Sequence, residues 1–161
     1  MSLTYQQAAK LVEVTEGPAI AIRISLIKQL NLGLAAAAFV SQAAWLSKNA
    51  SIKDEDDEEK GWFFLEQEGE GDKKKDGLYK ELGSWESALG LSKKEQENIR
   101  RRLIEAGHLF EMPTESARRR GESGLGCRET AFLFTQRRGT PPRLFYKVDL
   151  VKYIKFLMSA K

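Results

Sequence analysis

Two groups of polar side chains in this chain of 161 residues have the types and spacing to recognise another molecule. The first is Lys93, Lys94, Glu97, Asn98 and Arg101, within the stretch from Gly90 to Leu109. Lysine and arginine donate to phosphate oxygens and guanine edges, and asparagine pairs bidentately with adenine. Glutamate repels phosphate unless it accepts from cytosine or orients a neighbouring arginine. The second group is Arg137, Arg138 and Arg143, arranged around Gly139-Thr140-Pro141-Pro142. Guanidiniums on a proline-stiffened turn suit phosphate tracking or entry into a minor groove. For both groups the plain alternative is a solvated basic surface. No paired carboxylates in a catalytic setting, nucleophile elbow or nucleotide loop accompanies them, so no catalytic residue is expected.

A helix must position the first group. Ser92 is a good N-cap, and Glu95 stands three residues later, where a capping box places its carboxylate. Ile99, Leu103 and Ala106 recur at helical spacing and predict one buried stripe. Lys94, Glu97 and Arg101 fall on the opposite side, flanked by Lys93 and Asn98, and Gly107 closes the helix as a C′ glycine. Arg100 and Arg102 fall toward the flanks, where backbone or solvent contacts are expected. Ile104 is apolar on the polar side, which places it either beneath a neighbouring hairpin or at an intermolecular contact. The pattern of Leu78–Leu89, with Leu82, Trp85 and Leu89 on one stripe, is open to a break at Gly83-Ser84. Trp85–Leu89 then forms a short helix that Gly90-Leu91-Ser92 turns tightly into Ser92–Ala106.

Strands must position the second group. Leu109–Met112 reads as a strand stopped by Pro113, and Thr130–Thr135 and Leu144–Val148 read as two more. Residues 114–129 are rich in Arg, Gly, Ser and Glu and read as a flexible insertion, with Arg118-Arg119-Arg120 an electrostatic arm. Asp149 caps a terminal amphipathic helix carrying Leu150, Ile154, Leu157 and Met158 on one face.

Upstream, Leu34–Leu46 is a nearly all-round apolar helix with four consecutive alanines, ending at Trp45, and belongs at the centre of a core. It is too short to span a bilayer. Ile20, Ile22 and Ile24 alternate as in a short strand, although Leu26, Ile27 and Leu30 follow at helical spacing. A helical piece at Tyr5–Val14 is stopped by Gly17-Pro18. Trp62-Phe63-Phe64-Leu65 is strand-like, and Trp45, Trp62 and Trp85 are expected in the core. The acidic run Asp54–Glu59 lacks the alternation and central glycine of a calcium loop. It reads, with Glu68–Gly77, as a solvated loop.

One cysteine, Cys127, and one histidine, His108, exclude an internal disulfide and supply metal chemistry poorly, so no metal and no cofactor is expected. His108 follows a helix C-terminus, where positive character is favoured. The net charge of +3 conceals an uneven distribution. Residues 1–90 hold 10 Lys+Arg against 15 Asp+Glu, and residues 91–161 hold 16 against 8, so −5 faces +8. The basic half carries both candidate groups, and positive charge there would release counterions from a phosphate backbone. The lead Met1–Lys10 is polar with no apolar core after it, so a cytoplasmic protein is expected, in the bacterial cytoplasm or nucleoid, with no membrane contact.

Four fragments in order carry a family likeness. They are Gly61-Trp62-Phe63-Phe64; Gly90-Leu91-Ser92 with Glu95-Gln96; Leu103 with Glu105-Ala106-Gly107; and Arg138-Gly139-x-Pro141-Pro142-Arg143-Leu144-Phe145-Tyr146-Lys147-Val148-Asp149. Over roughly residues 20–157 the chain resembles winged-helix proteins of bacteriophages and other mobile elements. It is similar to the DNA-binding N-terminal domains of phage replisome organisers and plasmid replication initiators. An alanine-rich helix ending in tryptophan, here Leu34–Trp45, typically precedes the Gly-Trp-Phe strand in that group. The segment from Pro113 to Arg137 departs from the pattern as an insertion.

The expected architecture is therefore α+β, mainly α: a winged helix-turn-helix with a small antiparallel sheet and a C-terminal helix. A lead at 1–18 precedes one domain at 19–161, with loop insertions near 50–60, 67–77 and 113–129. The expected partner is double-stranded DNA, bound without catalysis in replication or gene regulation, with replication or transcription proteins as further partners. Two other classes stand beside it: a winged helix used for protein interaction, and a homodimeric transcriptional regulator.

Overall fold

The computed structural model describes residues 4–8, 22–53, 60–69 and 84–159. Residues 5–8 are helical, and the remainder of the Tyr5–Val14 expectation lies outside the described residues. So do the acidic run 54–59 and most of the loop from 70 to 83.

Helix α1 (Ile24–Leu30) buries Leu26 and Leu30, four residues apart on one face. This overturns the strand expected across Ile20, Ile22 and Ile24 at its described end: alternation would put Ile24 and Leu26 on one face, whereas the helix buries Leu26 and turns Ile24 outward. Ile24 is left largely exposed. Asn31 takes a left-handed conformation at φ 53, and the chain bends by 115° into helix α2. Helix α2 (Leu34–Lys53) runs beyond the expected end at Trp45 and into the loop expected near 50–60. The Asn49 side chain donates to the Trp45 carbonyl at 2.8 Å within this extension. Ala36, Ala37, Phe39, Val40, Ala43 and Leu46 are buried along α2. Trp45 is not a core residue, being 45% exposed on the opposite side. Among the described residues no single helix is long and apolar enough to cross a membrane.

The fold is α+β. Strand β1 (Phe63–Phe64) is followed by helices α3 (Trp85–Leu89) and α4 (Lys93–Glu105) and strand β2 (Leu109–Glu111). Then come helix α5 (Glu115–Arg119), strands β3 (Leu133–Arg138) and β4 (Arg143–Val148), and helix α6 (Leu150–Met158). The four strands form one sheet in the order β1-β4-β3-β2. It is mixed, not antiparallel as expected: β1 and β3 run antiparallel to β4, but β2 runs parallel to β3. The insertion is the cause. It carries the chain from the end of β2 back to its beginning, where the Phe132 and Leu133 N–H groups both donate to the His108 carbonyl at 3.1 Å.

Nor is that insertion an unstructured arm. Thr114 caps α5 by accepting from the Ala117 N–H at 3.1 Å. Leu125 then pairs with Glu111 in an antiparallel bridge, both N–H groups donating at 2.9–3.0 Å. The open edge of β2 is thereby covered, which removes a site for unwanted strand pairing. Two glycines permit the approach. A Cβ at Gly124 (φ 92) would run into the Glu111 carbonyl oxygen, and one at Gly126 (φ 105) would lie 2.6 Å from that of Leu109. Ile104 packs in the same place, its Cγ2 being 3.4 Å from a Cβ built on Gly126. The apolar residue on the polar side of α4 is thus explained by the insertion that covers it.

One sheet face packs on α2. Phe63, Leu133, Thr135, Leu144, Tyr146 and Val148 are buried there with Phe39 and Trp85. Burying such side chains contributes roughly 1.5–3 kcal/mol each. Trp85 stacks on Phe39 with ring centroids 4.5 Å apart, and Tyr146 meets Phe39 and Trp85 edge-on at 5.8 and 5.2 Å. The buried Ser47 hydroxyl of α2 latches the sheet. It accepts from the Val148 N–H at 3.0 Å and donates to the Gly61 carbonyl at 2.7 Å. Asp149 caps α6 as expected, but the inward face is Leu150, Tyr153, Phe156 and Leu157. Ile154 and Met158 point outward with Val151, against the expected apolar grouping.

Candidate nucleic-acid interface

Helix α4 begins as its residues dictate. The Ser92 hydroxyl accepts from the Glu95 N–H at 3.2 Å, and the Glu95 carboxylate accepts from the Ser92 N–H at 3.3 Å. Gly90, at φ 70, makes the turn from α3, which is itself capped by Ser84 and Ser87. Gly107, at φ 81, ends α4.

The buried side of α4 consists of Gln96, Ile99, Arg100 and Leu103. Ala106 is exposed instead, because the helix has already ended at Glu105 and Ala106 is its C-cap. Gln96 donates to the carbonyls of Gln67 at 2.8 Å and Leu91 at 3.0 Å, pinning the start of α4 to the segment after β1. Arg100 is not a flank residue in solvent. It is 9% exposed, and its Nη1 donates to the Tyr146 hydroxyl at 3.0 Å. Burial pushes the Tyr146 hydroxyl above its ordinary pKa, with the charges of Arg100 and Arg137 opposing that rise. Arg102 reaches across to the Leu32 carbonyl at 2.8 Å. One arginine therefore fastens α4 to the sheet, and another to the α1–α2 turn.

What remains facing outward is the first expected group. Lys93, Lys94, Glu97 and Arg101 are exposed, and Asn98 is half-buried beside them. Among the described residues no ion pair engages any of them. Their charges are available to a ligand along one side of a helix that is anchored on its other side.

The hairpin arginines divide. Strand β3 lies three residues later than expected and takes in Arg137 and Arg138, while Arg143 opens β4, so the turn itself is Gly139–Pro142. Arg137 lies opposite the buried Leu144, which puts it on the α2 and α4 side of the sheet. Arg137 also lines a groove of about 440 Å³ together with Ala117, Gly121 and Glu122 of the insertion. Arg138 and Arg143 are cross-strand partners on the other face. There the Arg138 guanidinium lies 4.4 Å from the Trp62 ring centroid and 5.6 Å from that of Phe145. Arg143 lies 5.2 Å from Phe64. The eight expected residues thus do not form one patch. Six are on the side of the sheet carrying α4, and two are on the reverse.

Within the insertion, Arg119 pairs with Glu115 at 3.0 Å and Arg120 with Glu122 at 3.1 Å. Arg118 is exposed and makes no ion pair among the described residues. His108 is half-buried between Phe132 and Phe156, with ring centroids 5.5 and 4.9 Å away. Burial lowers its pKa, so desolvation outweighs the positive character expected beside a helix end. Cys127 is exposed, and hydrogen bonding from Thr130 lowers its pKa. No group of three or more His, Cys, Asp or Glu side chains among the described residues could hold a metal ion.

Comparison of this chain with protein-family models, curated proteins and solved structures finds no match. The family likeness stands on the quoted motifs alone.

Proposed function

We propose that this is a winged helix-turn-helix protein that binds duplex DNA without catalysis. Helix α3 and helix α4 would be the helix-turn-helix, with α4 the recognition helix, and the β3–β4 hairpin the wing. One observation carries the reading: Lys93, Lys94, Glu97 and Arg101 project from α4 while Gln96, Ile99, Arg100 and Leu103 fasten its other side. An anchored helix with outward donors suits a major groove, and it loses little conformational freedom on binding. Arg137, on the same side of the sheet, would add a phosphate contact. The resemblance to phage and mobile-element proteins points to replication or gene regulation in the cytoplasm of a host cell.

Anisotropy titration with random duplex DNA tests this directly. Affinity is expected to fall steeply as salt rises from about 50 to 200 mM. It should fall further in Lys94→Ala and Arg101→Ala. Affinity indifferent to both salt and substitution removes the proposal and favours a protein-interaction module.

A homodimeric form is a second reading, favoured by the exposed stripe Val151, Ile154 and Met158 on α6. Exposed apolar stripes of this kind mark association surfaces. Light scattering of the full chain distinguishes a dimer from a monomer.

A further inference from the structure

The reverse face of the sheet carries chemistry that the duplex reading leaves unused. Cross-strand pairing places Phe134 beside Lys147, Gln136 beside Phe145, Arg138 beside Arg143, and Phe64 beside Phe145. Trp62 joins them beneath Arg138. Phe64 and Phe145 have centroids 5.5 Å apart, and the Lys152 ammonium lies 5.8 Å from the Phe134 ring. These rings are half-buried, unlike Phe63 and Tyr146 on the side packed against α2. No acidic residue occupies a position on this face of β3 or β4. The nearest acid by alternation, Glu66, lies two residues beyond the end of β1.

We propose that this face is a stacking platform for single-stranded DNA. Flat rings interleaved with guanidiniums match a ligand that offers flat bases along an anionic backbone. Duplex DNA hides the faces of its bases within the stack, so it presents only phosphates to such a surface. An unpaired strand presents both. Stacking on rings and on guanidinium planes tolerates any base, so binding is sequence-tolerant and accompanies charge contacts from Arg143 and Lys147. The inference is independent of the duplex reading, because these residues lie on the sheet face opposite α4.

The test is binding of a labelled oligo(dT) of about 16 nucleotides to the full chain at low salt. Binding is expected, with quenching of tryptophan emission that disappears in Trp62→Phe. Phe145→Leu keeps an apolar side chain but loses the ring, and should weaken binding roughly ten-fold. The exposed Arg143→Ala should weaken it as well without lowering the melting temperature. The double variant Lys94→Ala/Arg101→Ala should leave oligo(dT) binding unchanged while losing duplex binding. Absence of oligo(dT) binding overturns the proposal. So does full binding by Phe145→Leu, which would reduce the surface to charge alone, or a tighter complex with oligo(U) than with oligo(dT). Equal sensitivity of oligo(dT) to the α4 double variant also overturns it, by returning both strands to one site.

Discussion

Arg100, in the middle of α4, donates from Nη1 to the hydroxyl of Tyr146, in the middle of β4, at 3.0 Å. Both side chains are buried, and the bond joins the helix that displays the outward lysines to the hairpin that carries the arginines. A guanidinium removed from water needs its hydrogen bonds met, so the pair ties the orientation of α4 to the sheet.

Tyr146→Phe removes the acceptor and leaves the guanidinium short of a partner in the core. A loss of about 1–3 kcal/mol is expected, read as a lower denaturation midpoint. The same variant should weaken duplex binding, because α4 is no longer held against β4.

Alkaline pH probes the same hydroxyl. Burial raises Tyr146 and Tyr153 above the ordinary tyrosine value of about 10. The unfolded chain then loses these protons before the folded one does. The associated stability is complete below about pH 10 and is lost as pH rises beyond it. Phenolate absorbance followed against pH should show two of the four tyrosines titrating late, together with unfolding.

His108 acts at the other end of the scale. Its folded pKa is depressed by burial, so the folded state resists protonation that the unfolded chain accepts near pH 6.5. Stability from this group is present above about pH 6.5 and declines as pH falls through the lowered value. His108→Phe, placed between Phe132 and Phe156, should flatten the acid limb of melting temperature against pH.

Gly124→Ala should test whether the insertion is an integral part of the sheet edge. The new Cβ meets the Glu111 carbonyl oxygen and the Phe110 ring, at a φ that an L side chain adopts with strain. A cost of roughly 1–3 kcal/mol is expected from the backbone conformation alone. Hydrogen exchange should then accelerate at the Glu111 and Leu125 amides, which are paired with each other across that edge.

Salt dependence would separate the phosphate contacts proposed for α4 from the base contacts proposed for it. On the proposed duplex reading, replacing Lys93 or Lys94 by alanine should remove a phosphate contact and reduce the slope of log affinity against log salt by about one. Replacing Asn98 should change sequence preference and leave the slope alone.

Much of the local structure was written in short-range patterns. Ser92 with Glu95, Gly90, Gly107 and Asp149 announced where α4 and α6 begin or where turns fall, because capping depends on residues only a few positions apart. The outward set on α4 followed from helical periodicity in the same way. Alternation and helical spacing overlap between Ile20 and Leu30, and only packing, which exposes Ile24 and buries Leu26, decides between them.

Long-range partners were not legible. Nothing near Arg100 in the chain reveals that Tyr146, 46 positions away, takes its hydrogen bond, and Trp45 looks as apolar as Trp85 until packing exposes one and buries the other. The parallel pairing of β2 with β3, and the division of Arg137 from Arg138 and Arg143, follow from strand register. Composition and spacing determined α4 and the start of α6, their caps and the charge they carry, since those depend on neighbouring residues. Tertiary packing alone decided which face each charge occupies, since a sheet gives successive residues opposite sides and its register is set by the whole core.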